Sequence, residues 1–200
     1  MGKVYPTYKW GVEGDTPSFL HVMPNGLNDP NDPTQVGWGG YHVFGLSPDS
    51  ITYAWTNWQQ PMYNISNRYE KKFYPDEFSD FAARMEWADK GKGNVNPEIV
   101  INGKAGFAPI TIHAKAGVKL VLDGRKTCDR DGDSLTFDWW QQLEAGSYQN
   151  SVSILGGNTS RAEVTIPESA HGKAIHVVCE VHDDGPFHLV AYRRVIICVD

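Results

Sequence analysis

Short apolar runs with a two-residue period dominate the second half of the chain. They cover residues 118–122, 135–140, 161–166 and 175–182. Turn-forming segments separate them, among them D-x-D-G-D at 129–133 and DDGP at 183–186. A period of two is typical of strands with one side in a core, and the last run, LVAYRRVIICV, closes a hairpin with the strand before DDGP. About seven strands in roughly 100 residues predict an immunoglobulin-like β-sandwich over residues 98–200.

The first half of the chain is less regular. Thr16 and Pro17 predict a short helix that Pro24 ends, and residues 25–41 have the composition of a loop. Asp76 is the predicted cap of a second helix. Its apolar stripe comprises Phe78, Phe81, Ala82, Met85, Trp87 and Ala88. Residues 55–72 are also predicted to be helical, with a break at Pro61.

Glycine, asparagine and proline in residues 91–97 are typical of a linker. The predicted fold class is therefore mainly β: a C-terminal immunoglobulin-like sandwich, preceded over residues 1–90 by a loop-rich segment with two or three helices. No internal repeat connects the two halves.

Charge and composition argue against several classes of function. The 200 residues carry a formal net charge of −6, which argues against a nucleic-acid binder or a surface drawn to anionic lipid. No apolar run is long enough for a membrane span, and the first residues lack the apolar region of a secretory signal. Aromatic residues make up 12%, including seven Trp and nine Tyr. These rings must lie in a core, in an interface or in a site for a planar ligand.

The strand at 134–142 offers a candidate sugar site. If Leu135, Phe137 and Trp139 face the core, Asp138, Trp140 and Gln142 share the other face. An outward indole between polar groups can stack on a sugar ring while its neighbours bind the hydroxyls. The alternative is that Trp140 packs beneath residues 1–90.

Three further aromatic residues are candidates for the same chemistry. Trp38 and Tyr41 lie in the glycine-rich loop GWGGY, and Tyr148 follows EAG. Loops that carry aromatic residues often bind ligands. The alternative for Trp38 is an anchor that fixes the loop to the body of the protein.

Acidic and metal-binding residue types occur in three places. Asp129, Asp131 and Asp133 offer calcium-type oxygen ligands, although the spacing is not that of an EF-hand and a β-turn with local hydrogen bonds is the alternative. Glu180 and His182, beside His176 on one strand face, allow a transition metal, with a solvated polar face as the alternative. Glu13 and Asp15 offer paired carboxylates for acid–base chemistry. No other cofactor is predicted.

The cysteine count gives little. Cys128, Cys179 and Cys198 are an odd number without CxxC spacing, so neither a disulfide framework nor a zinc site is predicted. Cys179 and Cys198 lie on neighbouring apolar runs, which allows one bridge. Reduced buried thiols are the alternative.

Several segments, in this order, resemble the C-terminal portion of a family of secreted bacterial cellulose-binding proteins. They are EGDTPSFLHVMPNGLNDP (13–30), GWGGY (37–41), FAARMEWA (81–88), LDGRKTCDRDGDSLTFDWWQQLEAGSY (122–148), GKAIHVVCEVHDDG (172–185) and YRRVI (192–196). Members of that family pair a nucleoside-hydrolase-like domain with an immunoglobulin-like domain.

The resemblance implies that residues 1–90 are the tail of the hydrolase-like domain with its connecting helices. It places Asp15 at the late aspartate of that domain's calcium site, and the N-terminal aspartate cluster of the same site does not precede Tyr5. It also implies secretion or export to the periplasm, an upstream hydrolase-like domain as a partner, and a role in polysaccharide degradation.

Three hypotheses follow from these observations. The chain is a polysaccharide-binding accessory module, or the C-terminal fragment of a glycosidase that is inactive alone, or a purely structural sandwich. Glu13 and Asp15 are then remnants of a catalytic site rather than a working pair.

Overall fold

The computed structural model describes residues 16–47 and 49–200. The N-terminal elements are the short helix α1 (Thr16–Val22), a hairpin of β1 (Val43–Leu46) and β2 (Tyr53–Thr56), and the long helix α2 (Met62–Lys90). A single turn of 3-10 helix, Pro33–Gln35, lies in the loop between α1 and the hairpin. Between Asn25 and Tyr41 the chain is otherwise irregular, as its composition predicts.

Seven further strands form the C-terminal part of the structure. They are β3 (Ile110–Ala114), β4 (Lys119–Asp123), β5 (Leu135–Gln141), β6 (Ser153–Leu155), β7 (Arg161–Thr165), β8 (Ala174–Asp183) and β9 (Val190–Val199). One sheet has the order β3-β9-β8-β5 and the other β4-β7-β6. The pair β3–β9 is parallel, whereas β5–β8 and β8–β9 are antiparallel. The predicted mainly-β fold class and the hairpin across DDGP are confirmed.

Alternating side chains of the two sheets build the main core. Leu122 and Val164 meet Trp139, Val177 and Ile197, and all five are buried. The Trp139 indole donates to the Thr159 carbonyl at 2.9 Å, so its one polar atom is satisfied. The two-residue period of the sequence is the period of this core.

A second core lies on the outer face of the four-stranded sheet. Val178, Val190 and Tyr192 pack there against Tyr69 and Phe73 of α2 and against Leu27, Val36 and Trp38 of the preceding loop. We call this contact the helix–sheet interface. The prediction of a solvated polar face on β8 is wrong, because His176 and Glu180 are 5% and 8% exposed beneath these elements.

The helix α2 differs from its prediction in extent and in orientation. It begins at Met62, directly after Pro61, and runs through Pro75 without a break, so Asp76 lies inside the helix rather than at its cap. The predicted apolar stripe faces outward, with Phe78, Phe81 and Met85 each more than half exposed. The face that packs on the protein comprises Ser66, Tyr69, Phe73, Asp80 and Ala83.

Two other sequence predictions are settled by the strands. Residues 53–56 form β2 instead of a helix, since Trp55 pairs with Phe44 across the hairpin. Cys179 and Cys198 are both free. They lie at different levels of the β8–β9 pair, opposite Arg193 and Ala174 respectively, and so do not meet.

Neither helix of the described residues combines the length and the apolar character that crossing a membrane requires.

Candidate functional site

Ionic and hydrogen-bonded contacts join α2 to the sheet within the helix–sheet interface. Asp76 accepts a hydrogen bond from the Tyr192 hydroxyl at 2.6 Å, and its other oxygen lies 3.1 Å from His182 Nε2. Lys72 donates to Glu180 at 2.7 Å, and the Trp140 indole donates to the same Glu180 oxygen at 2.9 Å. Side chains from one helix and three strands therefore converge on two carboxylates.

The charges of this cluster shift its titration. Burial alone would lower the pKa of His182, but the hydrogen bond and charge of Asp76, with the charge of Glu180, raise it above its ordinary value. Burial and the charges of Asp76 and Glu180 hold the Tyr192 hydroxyl protonated, with a pKa well above its ordinary value. The Lys72 ammonium thus faces two carboxylates, and the same carboxylates make the His182 imidazole easier to protonate.

The same geometry bears on the predicted transition metal. Asp76, Glu180 and His182 each offer one ligand atom, and these atoms lie within 4.8 Å of one another. The carboxylate oxygens already accept hydrogen bonds, and the Lys72 ammonium sits against Glu180 as a fixed cation. These contacts join α2 to the four-stranded sheet, and we call the group of Lys72, Asp76, Glu180 and His182 the latch.

The loop residue Trp38 is an anchor. Its ring is 2% exposed, and it meets the Tyr192 ring edge-on at a centroid distance of 6.2 Å. Its indole nitrogen lies 3.4 Å from the Tyr192 hydroxyl. The expectation of an open ring is wrong because the flanking glycines bring the loop backbone against the protein instead of exposing the side chain. Tyr41 is half-buried, and its backbone N–H donates to the Ser66 hydroxyl at 3.1 Å.

The strand residues proposed to bind sugar are mostly covered as well. Trp140 lies beneath α2 against Tyr69 and Phe73, with Lys72 Nζ 4.6 Å from its ring centroid. Gln142 is fully buried and donates to the Val36 carbonyl at 3.1 Å. These two side chains face outward from the sheet as predicted, but residues 25–90 cover them.

The two remaining residues of the predicted sugar site, Tyr148 and Asp138, do not form a binding surface with the others. Tyr148 is 5% exposed, and its hydroxyl lies 3.0 Å from Ser169 Oγ. Asp138 is exposed. Of the six residues predicted to bind sugar, Trp38, Gln142 and Tyr148 are buried, Tyr41 and Trp140 are partly buried, and Asp138 is exposed.

The aspartate turn keeps its predicted local geometry. Asp129 Oδ1 accepts from the Asp131 backbone N–H at 2.7 Å, and Asp131 accepts from the Val95 N–H at 2.8 Å. Oxygens of Asp129, Asp131 and Asp133 lie within 4.8 Å of one another. The turn hydrogen bonds account for the cluster, and calcium binding there stays a prediction. Glu13 and Asp15 lie outside the described residues.

Open aromatic rings occur instead on the β1–β2 hairpin. Phe44, Tyr53 and Trp55 are 62%, 67% and 48% exposed, and we call these three residues the aromatic face. Phe44 lies opposite Trp55 in the register, with ring centroids 5.6 Å apart, and 6.1 Å from the Tyr53 ring. Trp58, which follows β2, is 70% exposed.

Sequence reasoning missed this face, although a signal was present. The spacing Phe44-x-Leu46 and Tyr53-x-Trp55 is a two-residue period with every large apolar residue on one side. Each run is only four residues long, and the second half of the second run, Trp55 and Thr56, falls within the predicted helix of residues 55–72. Without the pairing of the two strands, their shared face cannot be recognised.

Comparison with known proteins finds similarity to one family in two parts of the chain. A model described as the C-terminal domain of the cellulose-binding protein Sde0182 matches residues 119–199. A second model, described as the nucleoside hydrolase-like domain of cellulose-binding Sde182, matches residues 1–42. Over these two ranges the chain is similar to this cellulose-binding protein family. The two matches follow each other in the order that the sequence resemblance implies.

A solved structure is similar over the full length of the chain. It is a nucleoside hydrolase-related hypothetical protein from Saccharophagus degradans, described as associated with carbohydrate metabolism. It shares 37% sequence identity and a TM-score of 0.84, and the match covers 100% of this chain and 50% of the other. The chain thus spans about half the length of that relative.

Two other comparisons add nothing to this similarity. The PKD domain of the KIAA 1837 protein matches 55% of this chain and 90% of its own length, with 16% identity and a TM-score of 0.38. That likeness is too weak to support an argument. The search of curated proteins found no match.

Proposed function

We propose that this chain is a carbohydrate-binding part of a larger secreted protein, and that its aromatic face binds a neutral, cellulose-like polysaccharide. The observation that carries the proposal is the row of open rings on the hairpin. The description of the family as cellulose-binding supports the ligand class.

The chemistry of the hairpin suits a neutral sugar. Pyranose rings present flat C–H faces that pack on aromatic rings, and their hydroxyls need hydrogen-bonding groups at the rim. Gln59 and Gln60 are exposed close to Trp58 and supply such groups. Residues 43–60 contain one charged side chain, Asp49, so the surface favours an uncharged ligand over an ionic one.

Retention on insoluble cellulose tests the proposal. We expect the chain to be depleted from solution by microcrystalline cellulose, and Trp55→Ala to weaken the retention by about tenfold or more, because central aromatic contacts dominate binding energy. Tyr53→Ala should act in the same direction. The measurement is a depletion isotherm on each folded variant.

Phe81→Ala is the matched control. Phe81 is 60% exposed on α2, comparable to Tyr53, but it belongs to a different surface. Retention that is absent in the unaltered chain, or that Phe81→Ala reduces as much as Trp55→Ala, would count against the aromatic face.

A second candidate function rests on the hydrolase-like match to residues 1–42. In it, the chain is the C-terminal fragment of a nucleoside-hydrolase-like glycosidase that is inactive alone and has the upstream domain of the same protein as its partner. We expect no sugar release from nucleosides by these 200 residues, and release by a longer protein that includes the upstream domain. Hydrolysis by the 200 residues alone would contradict this reading, whereas inactivity of both, with cellulose retention intact, favours the binding function.

A further inference from the structure

Two neighbouring arginines on β9 are buried in different ways. Arg194, fully buried, donates to the carbonyls of Leu27 at 2.6 Å, Gln35 at 2.5 Å and Val36 at 3.0 Å, and it also contacts the Gln142 side chain. Arg193 points to the opposite side of the sheet and is 3% exposed. Its Nε and Nη1 atoms are buried and have no hydrogen-bond partner among residues 16–47 and 49–200.

An unpartnered guanidinium is costly in such a place. Burial lowers the pKa of Arg193, but a guanidinium keeps its proton in proteins, so the charge persists. A buried charge without an opposite charge or hydrogen bonds is strongly destabilising. By contrast, both Nη groups of Arg194 are hydrogen-bonded, and only its Nε has no partner among the described residues. Arg193 is therefore a buried cation that has no negatively charged partner among the described residues.

A cavity adjoins the same stretch of β9. Its volume is about 310 Å³, and its wall comprises residues 95–99, Gly106, Phe107, Arg130, Ala191 and Tyr192. At Gly106, the point where a Cβ would stand lies 3.6 Å from Arg193 Nη1, and no other non-neighbouring atom lies within 4 Å of that point. Arg193 is not itself part of the cavity wall, but because residue 106 has no side chain, its guanidinium lies directly behind that point of the wall.

The wall of the cavity carries groups that suit a sugar. Phe107 is 56% exposed and offers an aromatic surface. The Asn96 amide nitrogen already donates to Asp80 and to the Val190 carbonyl, so its oxygen is the hydrogen-bonding atom that remains. Arg130 adds a second cation, which Glu98 partly balances at 3.5 Å. The volume lies at the lower end of the range for small-molecule pockets, which matches one sugar unit better than a peptide or a folded partner.

We propose that this cavity binds an acidic sugar unit, a uronate, with its carboxylate on Arg193 and its ring against Phe107. The site is separate from the aromatic face and does not depend on the proposed cellulose binding. A carboxylate side chain from another domain is the competing occupant, and the experiment distinguishes the two.

Sodium glucuronate, with glucose and sodium chloride as comparisons, is the probe on the whole chain. We expect glucuronate to raise the melting temperature in a saturable way, beyond any effect of the two comparisons. Arg193→Met should weaken glucuronate affinity by about tenfold or more, because hydrogen bonds to charged groups are among the strongest. The ligand-free variant should melt at the same or a higher temperature, since it buries no unpaired charge.

Arg125→Met is the matched control, because Arg125 is an exposed arginine paired with Asp123. It should leave glucuronate binding unchanged. If Arg193→Met does not fold, Phe107→Ala and Arg193→Lys, measured by titration calorimetry, take its place and should each weaken binding. No saturable response to glucuronate, or a response that these variants retain, overturns the proposal. No response in these 200 residues, combined with destabilisation by Arg193→Met only in a longer protein that includes the upstream domain, assigns the arginine to a carboxylate of that domain.

Discussion

At the residue scale, the carboxyl of Glu77 stands out because no basic side chain among the described residues forms an ion pair with it. It lies on α2 next to Asp76, and its Oε1 is buried with no partner among the described residues. Burial, together with the charges of Glu70 and Asp76, raises its pKa to about 8. The carboxyl is therefore largely protonated at neutral pH.

This shift makes the stability of the protein depend on pH in a definite direction. The ordinary pKa of the group is 4.5, so the folded state holds the proton more tightly than the unfolded state. Its contribution to stability is complete below pH 4.5 and is lost as the pH rises through about 8. We expect Glu77→Gln to match the unaltered chain near pH 5 and to exceed it by about 1–3 kcal/mol at pH 9, the partial exposure of the side chain reducing the full value.

Thermal unfolding at the two pH values measures the effect, which corresponds to about 2–10 °C. Other groups of the protein also titrate over a range this wide, so the informative quantity is the difference in stability between the variant and the unaltered chain. Glu98→Gln, at an exposed glutamate, should show no such difference. An equal gain from Glu77→Gln at both pH values would show that Glu77 is not held protonated.

At the scale of elements, α2 shows where sequence reasoning reaches its limit. The helix carries two stripes at helical spacing, one with Phe78, Phe81 and Met85, the other with Tyr69 and Phe73. The more apolar stripe was expected in the core, yet the other one is buried. The buried stripe is mixed with Ser66 and Asp80, whose polar atoms find partners in the structure. Periodicity identifies a helix, but only its neighbours decide which face is covered.

The strands of the sandwich were predictable because each strand has the same alternation of apolar and polar residues as the strand it pairs with. Every long run of the sandwich alternates with the same period, so the strand of residues 135–141 and the hairpin of β8 and β9 follow from the pattern alone. The candidate sugar site did not follow, although Trp140 and Gln142 were assigned to the correct side of the sheet. Residues 25–90 decide whether that side of the sheet is exposed to solvent, and their sequence has no alternation that would predict where they pack. The exposed aromatic rings lie on the β1–β2 hairpin instead.

At the scale of the whole molecule, the two halves differ in how they form a core. The sandwich core draws only on residues from Ile99 onward. The second core takes Leu27, Trp38 and Phe73 from the N-terminal half and Val178 and Tyr192 from the sheet. The latch of Asp76 with His182 crosses the same boundary. Within residues 16–47 and 49–90, the N-terminal half therefore has no apolar core of its own, whereas the sandwich has one.

Dividing the chain tests this asymmetry. We expect residues 91–200 to unfold cooperatively by circular dichroism, because both sheets and their shared core are retained. Unfolding should occur at a lower temperature than in the whole chain, and the uncovered outer face should bind more of a hydrophobic dye.

Residues 16–90 alone should show no fixed near-ultraviolet signal from their tryptophans, since the sheet that fixes Trp38 is absent. Adding the sandwich fragment should restore part of that signal, and Tyr192→Ala in the fragment should abolish the restoration, because Tyr192 is the ring on which Trp38 and Phe73 pack. Thr136→Ala, on the exposed side of β5, is the control substitution. A stable tertiary signal from residues 16–90 by themselves would show that this half is an independent domain, and that the helix–sheet interface is a contact between domains instead of a shared core.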